Sequence, residues 1–111
     1  MKKLLALATL TLSAAMAADF HEHLGLQMWS LRAQTKESTT GALDQAKAYG
    51  ITEVETAGTG SLTTEQFAAE LKARGLHAVS AHIGYDILGK DIQAAIATAK
   101  TLGASFIMCP Y

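Results

Sequence analysis

Apolar residues in this chain gather in short runs, and between the runs they recur every three or four positions. The runs fall at residues 24–29, 51–56, 76–82 and 105–109. Each is short, rich in aliphatic or small side chains and bounded by glycine, proline or polar residues, and so reads as a strand. Between them, Ala42, Leu43, Ala46 and Tyr49 keep helical spacing, as do Phe67, Ala68 and Leu71, and then Ile92, Ala95, Ile96, Ala99 and Leu102. Each set predicts a helix with one buried face. Helix starts are marked by Ser38-Thr39-Thr40, by Asp91, and by Thr63 followed three residues on by Gln66, the spacing of a capping box. Helix ends repeat one phrase: a cation-bearing stretch, a glycine, then the next apolar run. It occurs at Gly50, Gly75 and Gly103, about 25 to 28 residues apart, the length of one helix, one strand and two short loops. Gly58-Thr59-Gly60 and residues 83–90, with Gly84 and Gly89, read as loops.

Strands alternating with helices at this spacing predict an α/β fold with parallel pairing and right-handed crossovers. No low-complexity linker interrupts the pattern, so a single domain is expected over residues 18–111. Residues 1–17 stand outside it. Lys2 and Lys3 precede a short apolar stretch, and Ala15-Met16-Ala17 fits a small-x-small cleavage site. That is the pattern of a secretory signal peptide, with an uncleaved anchor as the alternative. The stretch is short for a membrane span. Export implies a periplasmic or secreted protein, with no membrane contact once the signal is cut.

Losing Lys2 and Lys3 moves the formal charge from −1 to −3. With no basic patch, nucleic acid is not expected as a partner. Cys109 is the single cysteine, so no internal disulfide is expected, and its place in an apolar run predicts a core thiol. His21 and His23 lie in the lead before the first strand and read as solvated side chains, with a shared metal ion as the alternative.

In a parallel βα array, ligands gather at the carboxyl ends of the strands. That rule selects Gln27, Trp29 and Arg32 after the first strand, Glu53 and Glu55 on the second, His82 and Tyr85 after the third, and residues 109–111 after the fourth. Glu55, at a strand's end before a glycine loop, suits hydrogen bonding to sugar hydroxyls or orienting a metal-bound water. The alternative is a solvated or salt-bridged acid. His82, ending a small apolar strand, can donate to a substrate oxygen or ligate a metal, or be a structural histidine satisfied by a carbonyl. Trp29 offers an apolar wall to a sugar ring or simple packing, and Gln27 can bond a hydroxyl. Arg32 could meet a phosphate or carboxylate but reads first as a surface charge. His77 enters the third strand from the opposite end and is expected at the surface. No phosphate-cradling loop motif, nucleotide fingerprint, paired-cysteine metal motif or nucleophile elbow is present.

At the strings 24–32 (LGLQMWSLR), 50–55 (GITEVE), 78–82 (AVSAH) and 99–104 (AKTLGA) running to Pro110-Tyr111, the chain resembles the xylose isomerase-like superfamily, in its sugar phosphate isomerase/epimerase branch. The resemblance implies a (β/α)8 TIM barrel, which needs about 250 residues, with this chain as its first half. It also implies a sugar isomerase or epimerase that moves protons on a carbohydrate with the help of a divalent metal ion (Mn, Mg or Zn); with the signal-peptide pattern, the expectation is an exported one. That family holds its metal largely with acids and a histidine on later strands. Glu55, His82, Gln27 and Trp29 therefore carry over as substrate-binding residues, with catalytic residues unassigned and no metal set within this chain. A related endonuclease branch uses a third-strand histidine as a zinc ligand, matching His82, but also needs a fourth-strand histidine where this chain has Cys109-Pro110-Tyr111. The alternative function is a non-catalytic sugar-binding module, or a half-barrel that closes by self-association as a homodimer.

Overall fold

The computed structural model describes residues 24–110. The fold is α/β. Strands β1 (Gly25–Gln27), β2 (Glu53–Thr56), β3 (His77–His82) and β4 (Phe106–Met108) form one sheet in the order β1-β2-β3-β4. Every neighbouring pair is parallel. Helices α1 (Arg32–Glu37), α2 (Thr39–Ala48), α3 (Thr64–Arg74), α4 (Tyr85–Lys90) and α5 (Ile92–Leu102) lie between the strands, and a 3-10 turn at Met28–Leu31 leads into α1. Residues 1–23, which carry the signal-peptide pattern and His21 and His23, lie outside the described residues, as does Tyr111.

The expected helix ends are built as the side chains dictate. The Ser38 hydroxyl accepts from the Gly41 amide at 3.0 Å, and Asp91 Oδ1 accepts from the Ala94 amide at 3.0 Å. Thr63 and Gln66 form both halves of a capping box, at 3.2 and 2.9 Å, satisfying amides that a helix start leaves without partners. Gly50, Gly75 and Gly103 all take positive φ (77°, 68° and 75°), the conformation in which a helix turns off into the next strand.

The helices make one layer. Helix α2 packs on α3 and α3 on α5, while α3 and α5 both rest on the sheet. The core lies between this layer and one face of the sheet. Val54, Thr56, Ala78 and Ala81 project from the strands, and Leu43, Phe67, Leu71 and Leu102 from the helices, all buried. The many alanines at this contact (Ala42, Ala46, Ala95 and Ala99, also buried) let helices lie close to the strands.

The sheet's other face carries no covering layer among the described residues. The register places Gln27, Glu55, Ser80 and Phe106 in one row, with His82 and Met108 in the next. Phe106 is 69 % exposed and Met108 47 %.

The structure departs from several expectations: the first strand, expected over 24–29, spans only Gly25–Gln27. Cys109 is exposed and not a core thiol, because β4 ends at Met108 and Cys109 lies past the strand's carboxyl end. Residues 85–90 form α4 in place of a loop, a helix that buries none of its side chains. Tyr49 ends α2 exposed, its hydroxyl accepting from Gln45 Nε2 at 2.7 Å. Ile92, in the first turn of α5, is also exposed.

Candidate functional site

Glu55 and His82 come together on the open face of the sheet. Their approach depends on a step in the β2–β3 register. Val54 pairs with Ala78, but Glu55 pairs with Ser80 and Thr56 with Ala81, so Val79 is an extra residue on β3. Side chains alternate faces along a strand, and one inserted residue reverses the alternation beyond it. Without the step His82 would share the parity of Ala78 and point into the helix layer. With it, Ala81 fills the core and His82 turns to the side of Glu55. His82 Nε2 then lies 3.4 Å from Glu55 Oε1, with both side chains largely shielded (14 % and 21 % exposed). The His82 amide donates to the buried Thr56 hydroxyl at 3.3 Å, which fixes the strand end against β2.

Gln27 is the β1 neighbour of Glu55 in the same row. Trp29 follows it in the 3-10 turn, 55 % exposed. Its ring is held by Arg32, whose guanidinium stacks 5.4 Å from the ring centroid and donates to the Trp29 carbonyl at 3.0 Å. Gln27, Trp29 and His82 line a cavity of about 290 Å³ closed by Ala57, Gly58 and Pro110. This is the carboxyl end of the sheet, where a parallel βα array presents its loops. The four residues selected from sequence therefore converge: three line one cavity, and the fourth, Glu55, touches the third, His82.

Other candidates do not join them. Tyr85 is 74 % exposed on α4 and lines neither this cavity nor its neighbour. His77 is exposed at the amino end of β3, as expected. Glu53 sits in the row below Glu55, nearer the amino end of β2. Pro110 falls within the segment expected after the fourth strand. Ala57 and Gly58 are lining residues that sequence reasoning does not single out; their signal is their place in the loop directly after β2. The register step has a faint signal too, since Ala78-Val79-Ser80-Ala81 lacks the alternation of a regular half-buried strand.

Chemically, the cavity offers an imidazole, an amide and an aromatic face, with the Glu55 carboxylate against the imidazole. Glu55 and His82 are close enough to contact one ligand oxygen, or neighbouring hydroxyls on one ring. No group of three or more His, Cys, Asp or Glu side chains among the described residues is placed to share a metal ion. No helix of the described residues is long and apolar enough to cross a membrane. No family model and no curated protein sequence matches the chain.

Proposed function

We propose that this chain supplies the carbohydrate-binding first half of a (β/α)8 barrel, working as an exported sugar isomerase or epimerase. The observation that carries the reading is the convergence of Glu55 and His82 at 3.4 Å beside a cavity lined by Gln27 and Trp29. Hydroxyl-rich rings are recognised by such a set: a carboxylate and an amide for the hydroxyls, and an aromatic face for the ring's C–H surface. The sequential parallel order and single helix layer support a barrel, because only a singly wound sheet keeps one face clear for an interior.

In this reading Glu55 accepts from a sugar hydroxyl, His82 contacts the adjacent oxygen, and Trp29 limits where the ring can lie. A divalent ion in such enzymes polarises the sugar's oxygens beside the proton that moves. The described residues bring only Glu55 and His82 together as donors, fewer than the three protein ligands of a catalytic zinc site. The N-terminal pattern of residues 1–17 supports a periplasmic or secreted location.

Calorimetric titration of the protein with free aldoses and ketoses tests the reading. Glu55→Ala and His82→Ala are each expected to weaken binding about tenfold, the loss of one hydrogen bond to a charged or strongly polar group. Unchanged affinity in both variants would defeat it.

A second reading, a self-associating half-barrel without catalysis, is favoured by one feature. Phe106 and Met108 stand exposed on the open face, and a large apolar surface there suits a second sheet. Sedimentation at increasing protein concentration separates the two, since this reading needs a dimer that Phe106→Lys dissociates.

A further inference from the structure

A second cavity, of about 420 Å³, lies beside the first, between α1 and the loop that follows β2. Trp29, Ala57 and Gly58 border both. Its wall carries two cations, Arg32 and Lys36, one helical turn apart on α1. No aspartate or glutamate lines it. Neither cation forms an ion pair among the described residues. Arg32 uses one N–H on the Trp29 carbonyl, which leaves further donors on its guanidinium. The Thr35 hydroxyl, on the same wall, is buried without a hydrogen-bond partner.

The facing wall is the loop 58–61, and its shape is imposed. Gly60 takes φ +61°, and a Cβ there would fall 2.1 Å from the Thr39 hydroxyl. That hydroxyl accepts from the Ser61 amide at 3.1 Å and lies 3.3 Å from the Ser61 hydroxyl. The loop is thereby pinned to the start of α2 opposite Arg32 and Lys36, with no side chain on Gly58 or Gly60 to fill the space. Two cations and a glycine-lined wall without acids match the needs of an oxyanion.

We propose that this cavity is an anion site, taking a phosphate or carboxylate group of a small ligand between Arg32, Lys36 and the loop 58–61. The site stands apart from the carbohydrate reading, and its test uses no sugar. The full chain, labelled with nitrogen-15, is titrated with inorganic phosphate and separately with acetate at constant ionic strength, following backbone amide shifts. Saturable shifts at Arg32, Lys36, Gly58, Gly60 and Ser61 with either anion are expected, and which one saturates first identifies the group. Lys36→Gln should weaken that binding about tenfold, the loss of one charge-assisted contact. Lys90→Gln, which removes the same charge from α4 outside the cavity, should leave it within about twofold. Shifts that never saturate, shifts scattered over the surface, or equal losses in the two lysine variants would each overturn the proposal.

Discussion

Gly60→Ala tests how the wall between the two cavities is held. Two costs add at this position. A side chain at φ +61° enters the left-handed region, at about 1–2 kcal/mol. The new methyl would also lie 2.1 Å from Thr39 Oγ1 and 3.1 Å from both Cβ and Cγ2 of Thr39, where ordinary contact begins at 3.4 Å. Thr39 is 4 % exposed at the first position of α2 and has little room to yield. Relieving the overlap means turning its hydroxyl away from the Ser61 amide, at about 1 kcal/mol for the lost hydrogen bond. The total is about 2–3 kcal/mol. Gly58→Ala separates the two costs. Gly58 has φ +83°, but nothing lies within 4 Å of where its methyl would sit, so only the conformational cost of about 1–2 kcal/mol remains. Urea unfolding followed by circular dichroism measures both. In a Thr39→Ala background, which removes Oγ1 and Cγ2, the increment from Gly60→Ala should fall to about that of Gly58→Ala. Equal losses for the two glycine variants, or an increment that Thr39→Ala leaves unchanged, would refute the argument.

Further outcomes follow from single contacts, each read by the same unfolding assay. Leu43→Ala, at a fully buried position on α2, should cost about 2–5 kcal/mol. Thr63→Ala removes the hydroxyl half of the capping box, which accepts from the Gln66 amide, and leaves the residue-63 amide to donate to Gln66; it should cost about 1 kcal/mol, with Thr63→Ser close to neutral. Ser80→Ala should be neutral or stabilising, because the Ser80 hydroxyl is buried without a partner and its removal leaves nothing unsatisfied. Arg74 joins α3 to α2 by donating to Asp44 Oδ1 at 2.7 Å and also pairs with Glu70. The hydrogen bond from Arg74 holds the Asp44 carboxyl below its usual pKa, and the same bond raises that of Arg74. A carboxylate lowered by folding stabilises the protein above its unfolded pKa, near 3.8, and that stability is lost as pH falls through the folded value. The difference between wild type and Asp44→Asn should therefore be constant at neutral pH and vanish in acid below that range; a difference that grows on acidification would contradict the pairing.

The elements with one buried face were legible because burial imposes a period on them. Phe67 and Leu71 on α3, and Ala95, Ala99 and Leu102 on α5, are buried as their spacing requires. The caps were legible because Ser38, Thr63 and Asp91 answer a local need of the backbone. Helices α1 and α4 were not, since neither buries a side chain and neither leaves an apolar period to find. The strand expected over 24–29 breaks after Gln27 because Met28 and Leu31, three apart, bury together in a 3-10 turn. That same turn sets Trp29 outward at the cavity. The site was legible as far as the carboxyl-end rule reaches, which names Gln27, Trp29, Glu55 and His82 without showing that they meet. Their meeting rests on the β2–β3 register step, a two-strand property that no single run of residues displays. The second cavity was hidden for the same reason: Arg32 reads as a surface charge until α1 and the loop 58–61 are placed face to face.

The proposed carbohydrate site is tested most directly by a nitrogen-15 amide titration of the protein with unphosphorylated aldoses and ketoses. Saturable shifts are expected to gather at Gln27, Trp29, Glu55, Gly58 and His82, the residues around the open end of the sheet. Saturable shifts elsewhere with these residues unmoved, or no saturation with any sugar, would contradict a carbohydrate site there.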